Sequence, residues 1–236
     1  LQLLREQAPS LAFDATAGLS LGEFTALAAA DALGFEDGLR VVRRRGEVMQ
    51  HACEASAGGM AAIVGLDEEA VRDVCGQAGV SLANLNCPGQ IVISGDADKM
   101  EAACDAAKAA GAKRAIPLPV AGAYHSPLMQ PAQAGLAEAL AKVELREPSV
   151  PVYSNVTGQA HAAAGTIAAT MVDQVTSPVK WEACIRAMIA DGITRFIELG
   201  PGKALSGFMR RIDRDIEMLN VADCDSLAKA AESLNG

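Results

Sequence analysis

A serine between two glycines and a histidine further along the chain are the residues of this sequence best suited to chemistry. Ser20 lies in the run Gly18-Leu19-Ser20-Leu21-Gly22, which has the spacing of a nucleophile elbow. Such an elbow exposes the serine hydroxyl at a sharp turn from a strand to a helix, and it leaves the next backbone N–H, here that of Leu21, free to stabilise an oxyanion. His125 can act as the base that serine needs. The pair predicts acyl transfer through an ester on Ser20.

The three histidines differ in their predicted surroundings. His51 falls on the polar face of its helix, and His161 lies in a loop of small residues, so both are expected to be solvated. His125 instead follows a predicted strand and a glycine turn in Gly122-Ala123-Tyr124-His125-Ser126. This position favours His125 as the base, with a purely structural histidine as the alternative.

A carboxylate that could orient His125 is not evident in the sequence. Asp67, Asp96 and Asp98 all stand at the starts of predicted helices, where aspartate caps free backbone N–H groups. A backbone carbonyl can fix the imidazole instead, because Nδ1–H needs only an acceptor. The sequence therefore leaves a main-chain group as the candidate for this role.

Arg45 occupies an unusual place on the helix predicted over residues 36–55. Its neighbours Arg43 and Arg44 fall on a polar face, whereas Arg45 falls in the middle of the apolar face. A buried guanidinium keeps its charge and needs an anionic partner. We interpret Arg45 as a clamp for a substrate carboxylate, which predicts a dicarboxylic acyl group with one end free. An internal ion pair, or a side chain that reaches solvent, is the alternative.

The periodicity of apolar residues predicts an α/β fold around these side chains. A strand leads into the elbow and an apolar helix follows it, whereas residues 58–119 have the order β-α-β-β-α-β of a ferredoxin-like unit. We predict a hydrolase-like core with a parallel sheet, residues 1–57 and 120–236, interrupted by this small subdomain at 58–119. The chain begins as if in mid-helix, so the N-terminal part of the core is expected to be missing. Predicted strands cover 13–17, 60–64, 81–85, 90–94, 114–118 and 194–199, and predicted helices cover 22–33, 36–55, 98–110 and Trp181–Ala190, with others starting at 67 and near 203.

Composition narrows the class of protein. The 236 residues are 50% hydrophobic and 21% charged, with a net charge of −9 that argues against nucleic acid as a partner. No apolar run is long enough to span a membrane, and no signal peptide is visible. The six cysteines are scattered without a CxxC pair, which favours reduced thiols, a cytoplasmic location and no metal site.

Seven stretches of the sequence together resemble the malonyl-CoA:acyl carrier protein transacylases, the acyltransferases that load malonyl groups for fatty-acid synthesis. They cover nearly the whole chain in the family's order. The first four are Gly18-Leu19-Ser20-Leu21-Gly22-Glu23, Arg45-Gly46 with Met49-Gln50, Asn86-Cys87-Pro88-Gly89-Gln90 with Ile93-Ser94-Gly95, and Pro117-Leu118-Pro119-Val120 running to His125-Ser126-Pro127-Leu128-Met129. The others are Tyr153-Ser154-Asn155-Val156, Gln174 with Ser177-Pro178-Val179-Lys180-Trp181, and Glu198-Leu199-Gly200-Pro201-Gly202.

The resemblance implies a role for each residue of the site. Ser20 would be the nucleophile, His125 the base and Arg45 the ligand of the malonyl carboxylate. The main-chain carbonyl of Gln174 would orient His125, and the Leu21 N–H would serve the oxyanion. The implied reaction is ping-pong, from coenzyme A to the phosphopantetheine thiol of acyl carrier protein through malonyl-Ser20.

The resemblance also implies substrate contacts and partners. Asn86, Tyr124 and Asn155 are expected to bind substrate. No cofactor is implied, since the coenzyme A thioester is itself the substrate, and the partners are malonyl-CoA and an acidic carrier protein, with neither nucleic acid nor membrane. The enzyme is expected to be a monomer. Basic pairs that could form a docking rim are Arg43-Arg44, Lys113-Arg114 and Arg210-Arg211.

Three departures from the family pattern keep other functions open. Leu19 stands where most members have histidine, and Tyr124 stands where malonyl-selective members commonly have phenylalanine. The family's N-terminal glutamine-glycine-serine-glutamine strand, which supplies a second oxyanion N–H, is not in the sequence. The alternatives are a serine hydrolase of thioesterase type, which would transfer the acyl group to water, and an inactive acyl-binding fragment.

Overall fold

The computed structural model describes residues 1–235 as a mixed α/β structure. Its strands are β1 (Thr16–Ala17), β2 (Gly58–Val64), β3 (Ser81–Cys87), β4 (Gln90–Asp96), β5 (Arg114–Pro117), β6 (Val152–Tyr153), β7 (Arg195–Leu199) and β8 (Glu217–Val221). Its α-helices are α1 (Gln2–Gln7), α2 (Leu21–Ala29), α3 (Phe35–Ala55), α4 (Glu68–Ala78), α5 (Ala97–Ala109), α6 (Gln130–Leu140), α7 (Ala164–Asp173), α8 (Trp181–Ala190), α9 (Ala204–Ile212) and α10 (Cys224–Asn235).

The parallel strands form two separate pairs. β1 pairs in parallel with β6, and β7 pairs in parallel with β8. Helices α2, α3, α6 and α7 enclose an apolar core built on buried side chains such as Phe24, Leu27 and Leu136. This core supports the turn that carries Ser20, because Ser20 lies between β1 and α2.

Residues 58–117 form an antiparallel sheet of their own. Its strands lie in the order β3-β4-β2-β5, and α4 and α5 pack on it through a separate apolar cluster that includes Ile63, Val71 and Ile93. Along the chain the elements follow the order β-α-β-β-α-β that the sequence analysis predicted. Asp67 caps α4 as predicted, since its side chain accepts a hydrogen bond from the Ala70 N–H.

Three predicted features of local structure are wrong. The strand predicted at 13–17 is reduced to Thr16–Ala17, and the helix predicted to reach residue 33 ends at Ala29. Beyond it the chain turns through Asp31, at φ 59°, yet Ala32 and Leu33 remain buried. The apolar pattern had therefore reported burial rather than helix. Asp96 makes no capping hydrogen bond and instead binds Lys99 Nζ at 2.6 Å.

The buried face of α3 positions Arg45. Val41, Val48 and Met49 of this face pack into the core with α6. Arg45 lies on the same face and is 7% exposed.

Among residues 1–235 no helix combines the length and apolarity needed to cross a bilayer.

Candidate active site

The backbone of the elbow is held in a conformation that most residues avoid. Ser20 has φ 51° and ψ −101°, between the end of β1 and the first turn of α2. A Cβ at Gly18 would lie 2.0 Å from the Gly22 carbonyl carbon, so only glycine fits at residue 18. At Gly22 a Cβ would meet no atom within 4 Å. Of the two glycines in the motif, the first is the one that close approach requires.

Ser20 and His125 form a hydrogen-bonded pair. Ser20 Oγ lies 2.9 Å from His125 Nε2, and His125 Nδ1 lies 2.9 Å from the main-chain oxygen of Gln174. Because a carbonyl only accepts, Nδ1 carries the proton and Nε2 is left to accept the serine proton. The structure thus brings together the serine, the histidine and the main-chain carbonyl that the sequence analysis singled out. Within residues 1–235 no carboxylate hydrogen-bonds to the imidazole.

Burial keeps the imidazole neutral. His125 is 4% exposed, and desolvation lowers its pKa from 6.5 to about 4. The positive charge of Arg45 lowers the pKa further, while hydrogen bonds with the Gln174 and Ser177 main chain act in the opposite direction. A neutral imidazole at neutral pH is the form that can take a proton from Ser20.

The depressed pKa of His125 predicts an acid limb well below the ordinary histidine range. Single-turnover acylation of Ser20 is expected to stay level from about pH 8 to about pH 5 and to fall as pH drops through about pH 4. The native state likewise loses stability as the pH falls from 6.5 to about 4. In this range His125 binds a proton in the unfolded chain but stays neutral in the folded chain. Acetyl-CoA, which has no carboxyl group to titrate, serves as the control substrate. An inflection near pH 6.5 would contradict the prediction.

Arg45 reaches the same serine oxygen from α3. Its Nη2 donates to Ser20 Oγ at 2.9 Å and to Gln174 Oε1 at 3.1 Å, and its guanidinium lies 5.6 Å from the Phe24 ring centroid. Burial lowers the pKa of Arg45 to about 10, and the charge of Glu23 partly opposes that shift. The group therefore stays cationic at neutral pH. Among residues 1–235 it forms no salt bridge, and its buried Nε has no acceptor, so the predicted inward position is confirmed without an internal ion pair.

The first N–H of α2 is free. Among the described residues, the Leu21 N–H has no hydrogen-bond acceptor, whereas the next two N–H groups bond to Leu19 O and Ser20 O. The positive end of the helix dipole lies at the same point. The Leu21 N–H is therefore available to a developing oxyanion beside Ser20.

The three predicted substrate contacts lie in different places. Both polar ends of the Asn155 side chain bind the elbow, with Oδ1 accepting from the Ser20 N–H at 2.6 Å and Nδ2 donating to Gly18 O at 2.8 Å. Asn155 is fully buried and both polar ends of its side chain are bound to the elbow, so it supports the elbow in this structure, and its contact with substrate stays a prediction. Asn86 is 6% exposed on β3, and within residues 1–235 its side chain makes no hydrogen bond to the Ser20–His125 pair.

Tyr124 lies half-buried between the two parts of the fold. It packs against the helical core and also against the cluster of Met60, Ala83 and Val92 on the antiparallel sheet. Desolvation raises the pKa of its phenol, and the neighbouring Cys53 adds to the shift. The positive charge of Arg45 acts in the opposite direction and lowers the pKa of the Tyr124 phenol.

Comparison with known proteins agrees with this geometry. A family model described as an acyl transferase domain matches residues 3–229. The malonyl CoA-acyl carrier protein transacylase of Bacillus subtilis is 46% identical over 226 residues, which are 94% of this chain and 71% of that protein. The malonyl CoA-acyl carrier protein transacylase of Haemophilus influenzae is 40% identical over 234 residues, which are 98% of this chain and 75% of that protein. This chain belongs to the malonyl CoA-acyl carrier protein transacylase family.

Solved structures of the transacylase family extend the likeness to the fold. An acyl carrier protein S-malonyltransferase from Vibrio cholerae has a TM-score of 0.92 at 40% identity and covers 97% of this chain and 76% of its own. A malonyl-transacylase in complex with its type II PKS acyl-carrier protein has a TM-score of 0.93 at 37% identity. The match covers 98% of this chain and 77% of that protein. The mixed α/β fold with parallel strands is thus that of the malonyl transacylases.

A buried carboxylate and a buried histidine next to the candidate site were not predicted from the sequence. Glu23 has no exposed surface, and His161 Nε2 lies 2.9 Å from Glu23 Oε1 with 2% of the histidine side chain exposed. The prediction that His161 is solvated is therefore wrong, because the small residues around it let the loop approach α2. Glu23 had a signal in the sequence: it is the one charged residue of a helix made mostly of apolar residues.

Proposed function

We propose that this chain transfers a malonyl group from coenzyme A to the phosphopantetheine thiol of an acyl carrier protein, for fatty-acid biosynthesis, through an ester on Ser20. One observation carries the assignment: Ser20 Oγ lies 2.9 Å from both His125 Nε2 and Arg45 Nη2. A nucleophile, its base and a cation that can bind a carboxylate thus meet at one oxygen. The names of the relatives, malonyl CoA-acyl carrier protein transacylase, state the same acyl group and acceptor.

The first half-reaction forms the ester and releases coenzyme A. His125 Nε2 takes the proton of Ser20 Oγ as Oγ attacks the thioester carbonyl carbon, and the Leu21 N–H stabilises the resulting oxyanion. The tetrahedral intermediate then collapses with cleavage of the carbon–sulfur bond. The departing thiolate takes the proton from His125, which leaves malonyl-Ser20 and free coenzyme A.

The second half-reaction repeats these steps in reverse with a different thiol. His125 takes the proton of the carrier's phosphopantetheine thiol, and the sulfur attacks the carbonyl carbon of the ester. The carbon–Oγ bond breaks, and His125 returns the proton to Ser20. One site thus serves both substrates in turn, which is a ping-pong scheme.

Arg45 is proposed to select the acyl group. In the free site its Nη2 donates to Ser20 Oγ, which places a desolvated cation close to the atom that will carry the acyl group. A guanidinium binds a carboxylate through two parallel hydrogen bonds. A malonyl group ends in a carboxylate and an acetyl group does not, so this contact favours malonyl.

The finer assignments are proposals as well. We infer that residues 58–119 are a ferredoxin-like subdomain inserted in a core of 1–57 and 120–236; the order of strands in their sheet supports this. The coenzyme A thioester acts as substrate with no further cofactor. A cytoplasmic location agrees with the six free cysteines. The monomeric state stays a prediction.

Fewer basic residues are available for the proposed docking rim for an acidic carrier protein than the sequence suggested. Arg43 and Arg44 both bind Glu47 on their own helix. Arg211 donates to Gln90 Oε1 and to the Pro88 carbonyl. Among residues 1–235, Lys113-Arg114 and Arg210 make no ion pair and remain the candidates for a carrier contact.

Intact-mass measurement tests the proposed function. Incubation with malonyl-CoA is expected to add one malonyl mass to the protein, and addition of holo acyl carrier protein is expected to move that mass to the carrier. Rapid malonate release without a thiol acceptor would instead support the hydrolase. A stable adduct that the carrier cannot discharge would support the inactive acyl-binding fragment.

A further inference from the structure

A buried hydrogen-bond cluster beneath the reacting groups is not used by the mechanism above. The Glu23 carboxylate, which has no exposed surface, accepts hydrogen bonds from three segments of the chain. His161 Nε2 donates to Oε1 at 2.9 Å, while the Asn155 backbone N–H at 3.1 Å and Gln174 Nε2 at 2.6 Å donate to Oε2. Each partner offers a donor and the carboxylate offers only acceptors, so the cluster is matched as an ionised carboxylate.

One partner of this carboxylate, Gln174, contacts Ser20, Arg45 and His125. Its Nε2 donates to Glu23 Oε2 and to Ser20 O, its Oε1 accepts from Arg45 Nη2, and its main-chain oxygen binds His125 Nδ1. The amide has one acceptor end and one donor end. Glu23 accepts only, so it holds the donor end of the amide on its own side and turns Oε1 toward the guanidinium.

The other partner, Asn155, connects the same carboxylate to the elbow. Its backbone N–H binds Glu23 Oε2, while its side chain binds the Ser20 N–H and the Gly18 carbonyl. Glu23 therefore supports the nucleophile from one side and the arginine from the other. A small displacement of the carboxylate would alter the distance between Ser20 and Arg45.

His161 sets the position of the carboxylate itself. It is the sole donor to Glu23 Oε1 in the part of the chain that the structure describes, and both side chains are almost completely shielded from solvent. Loss of that donor would leave a buried carboxylate oxygen unpaired, which is costly unless the carboxylate moves toward another partner. Its remaining contacts, Asn155 and Gln174, both lead to the reacting groups.

We propose that His161 and Glu23 are positioning residues for the malonyl transfer: His161 holds the Glu23 carboxylate, and Glu23 holds the Gln174 amide with its oxygen toward Arg45. The pair touches neither substrate nor reacting atom. It acts by keeping the guanidinium in place beside Ser20 before the acyl group arrives, and so it contributes to the choice of malonyl over acyl groups without a carboxylate. This inference rests on the proposed function.

The test compares His161→Gln with His161→Asn. A glutamine can place its amide nitrogen near the position of imidazole Nε2, whereas asparagine is one methylene too short to reach Glu23. Single-turnover acylation of Ser20 is measured with malonyl-CoA and with acetyl-CoA on the same preparation, so that the ratio of the two rates does not depend on the folded fraction. The exposed His51 is replaced by Gln as the matched control.

The expected result is a selective loss. His161→Gln and His51→Gln should keep the wild-type malonyl-to-acetyl ratio, and His161→Asn should lower that ratio by about tenfold. An unchanged ratio in His161→Asn, or an equal drop in His161→Gln, would overturn the inference. If His161→Asn does not fold, Glu23→Gln replaces it in the test, because the amide N–H of the new glutamine would face a donor of a neighbouring side chain. An unchanged malonyl-to-acetyl ratio in Glu23→Gln would overturn the inference too. A wild-type protein without any malonyl preference would refute the proposed function instead.

Discussion

Replacement of Ser20 by alanine is expected to abolish formation of the acyl-enzyme. Among the described residues the Ser20 hydroxyl is the nucleophile that lies within hydrogen-bond distance of both His125 Nε2 and Arg45 Nη2, so its removal leaves no oxygen there to acylate. We expect transfer to the carrier protein to fall by at least about 10⁴-fold. The measurement is intact mass after incubation with malonyl-CoA, combined with the rate of carrier malonylation.

The exposed Ser10 provides the matched control for this change. Ser10→Ala should acylate at the wild-type rate, and both variants should show the same melting temperature within a few degrees. A Ser20→Ala protein that still gains one malonyl mass would show that another residue carries the acyl group. In that case the elbow would be a structural turn.

Replacement of Arg45 by alanine is expected to abolish the preference for malonyl. The guanidinium is buried, remains charged with a pKa of about 10, and forms no ion pair within residues 1–235, so the substrate carboxylate is the anion that it can bind. Loss of a desolvated ionic contact predicts a fall of about 10²-fold or more in kcat/KM for malonyl-CoA. The rate with acetyl-CoA should change far less, since that substrate has no carboxylate.

The neighbouring Arg43→Ala is the control for the loss of one positive charge from the same helix. Arg43 is exposed and, in the part of the chain that the structure describes, pairs with Glu47 alone, so this variant should keep the wild-type ratio of malonyl to acetyl rates. Arg45→Lys separates charge from geometry, because lysine keeps the charge without the planar fork. Equal losses with both acyl groups in Arg45→Ala would refute the clamp.

Most of the fold followed from local pattern. The helix predicted at 36–55 is Phe35–Ala55, the helix at Trp181–Ala190 has those bounds, and the βαββαβ order is observed between residues 58 and 117. In these elements the spacing of apolar residues and the turn residues are enough to predict the secondary structure, because the apolar face of each element is continuous. The errors fall where burial continues after the helix ends, at Ala32 and Leu33, and where Asp96 pairs with a lysine instead of capping.

The candidate site could be predicted in part. Ser20 was located by the small-residue spacing of the elbow, and Arg45 by its place on an apolar helical face. The carbonyl of Gln174 was reached only through family resemblance, since nothing in its own neighbourhood in the chain marks it. For Asn155 the same resemblance gave a substrate contact, whereas the side chain supports the elbow.

The elbow at Ser20, the glycine turn before His125 and the inward position of Arg45 are properties of short stretches of sequence, because turn geometry and helical periodicity depend on neighbouring residues. The cluster beneath them is a property of the folded chain. Glu23 meets Asn155 and His161 across separations of 132 and 138 residues, and no local pattern encodes which distant donors will surround a buried carboxylate. Burial excludes water as a partner there, so those donors must come from whichever segments the fold brings together.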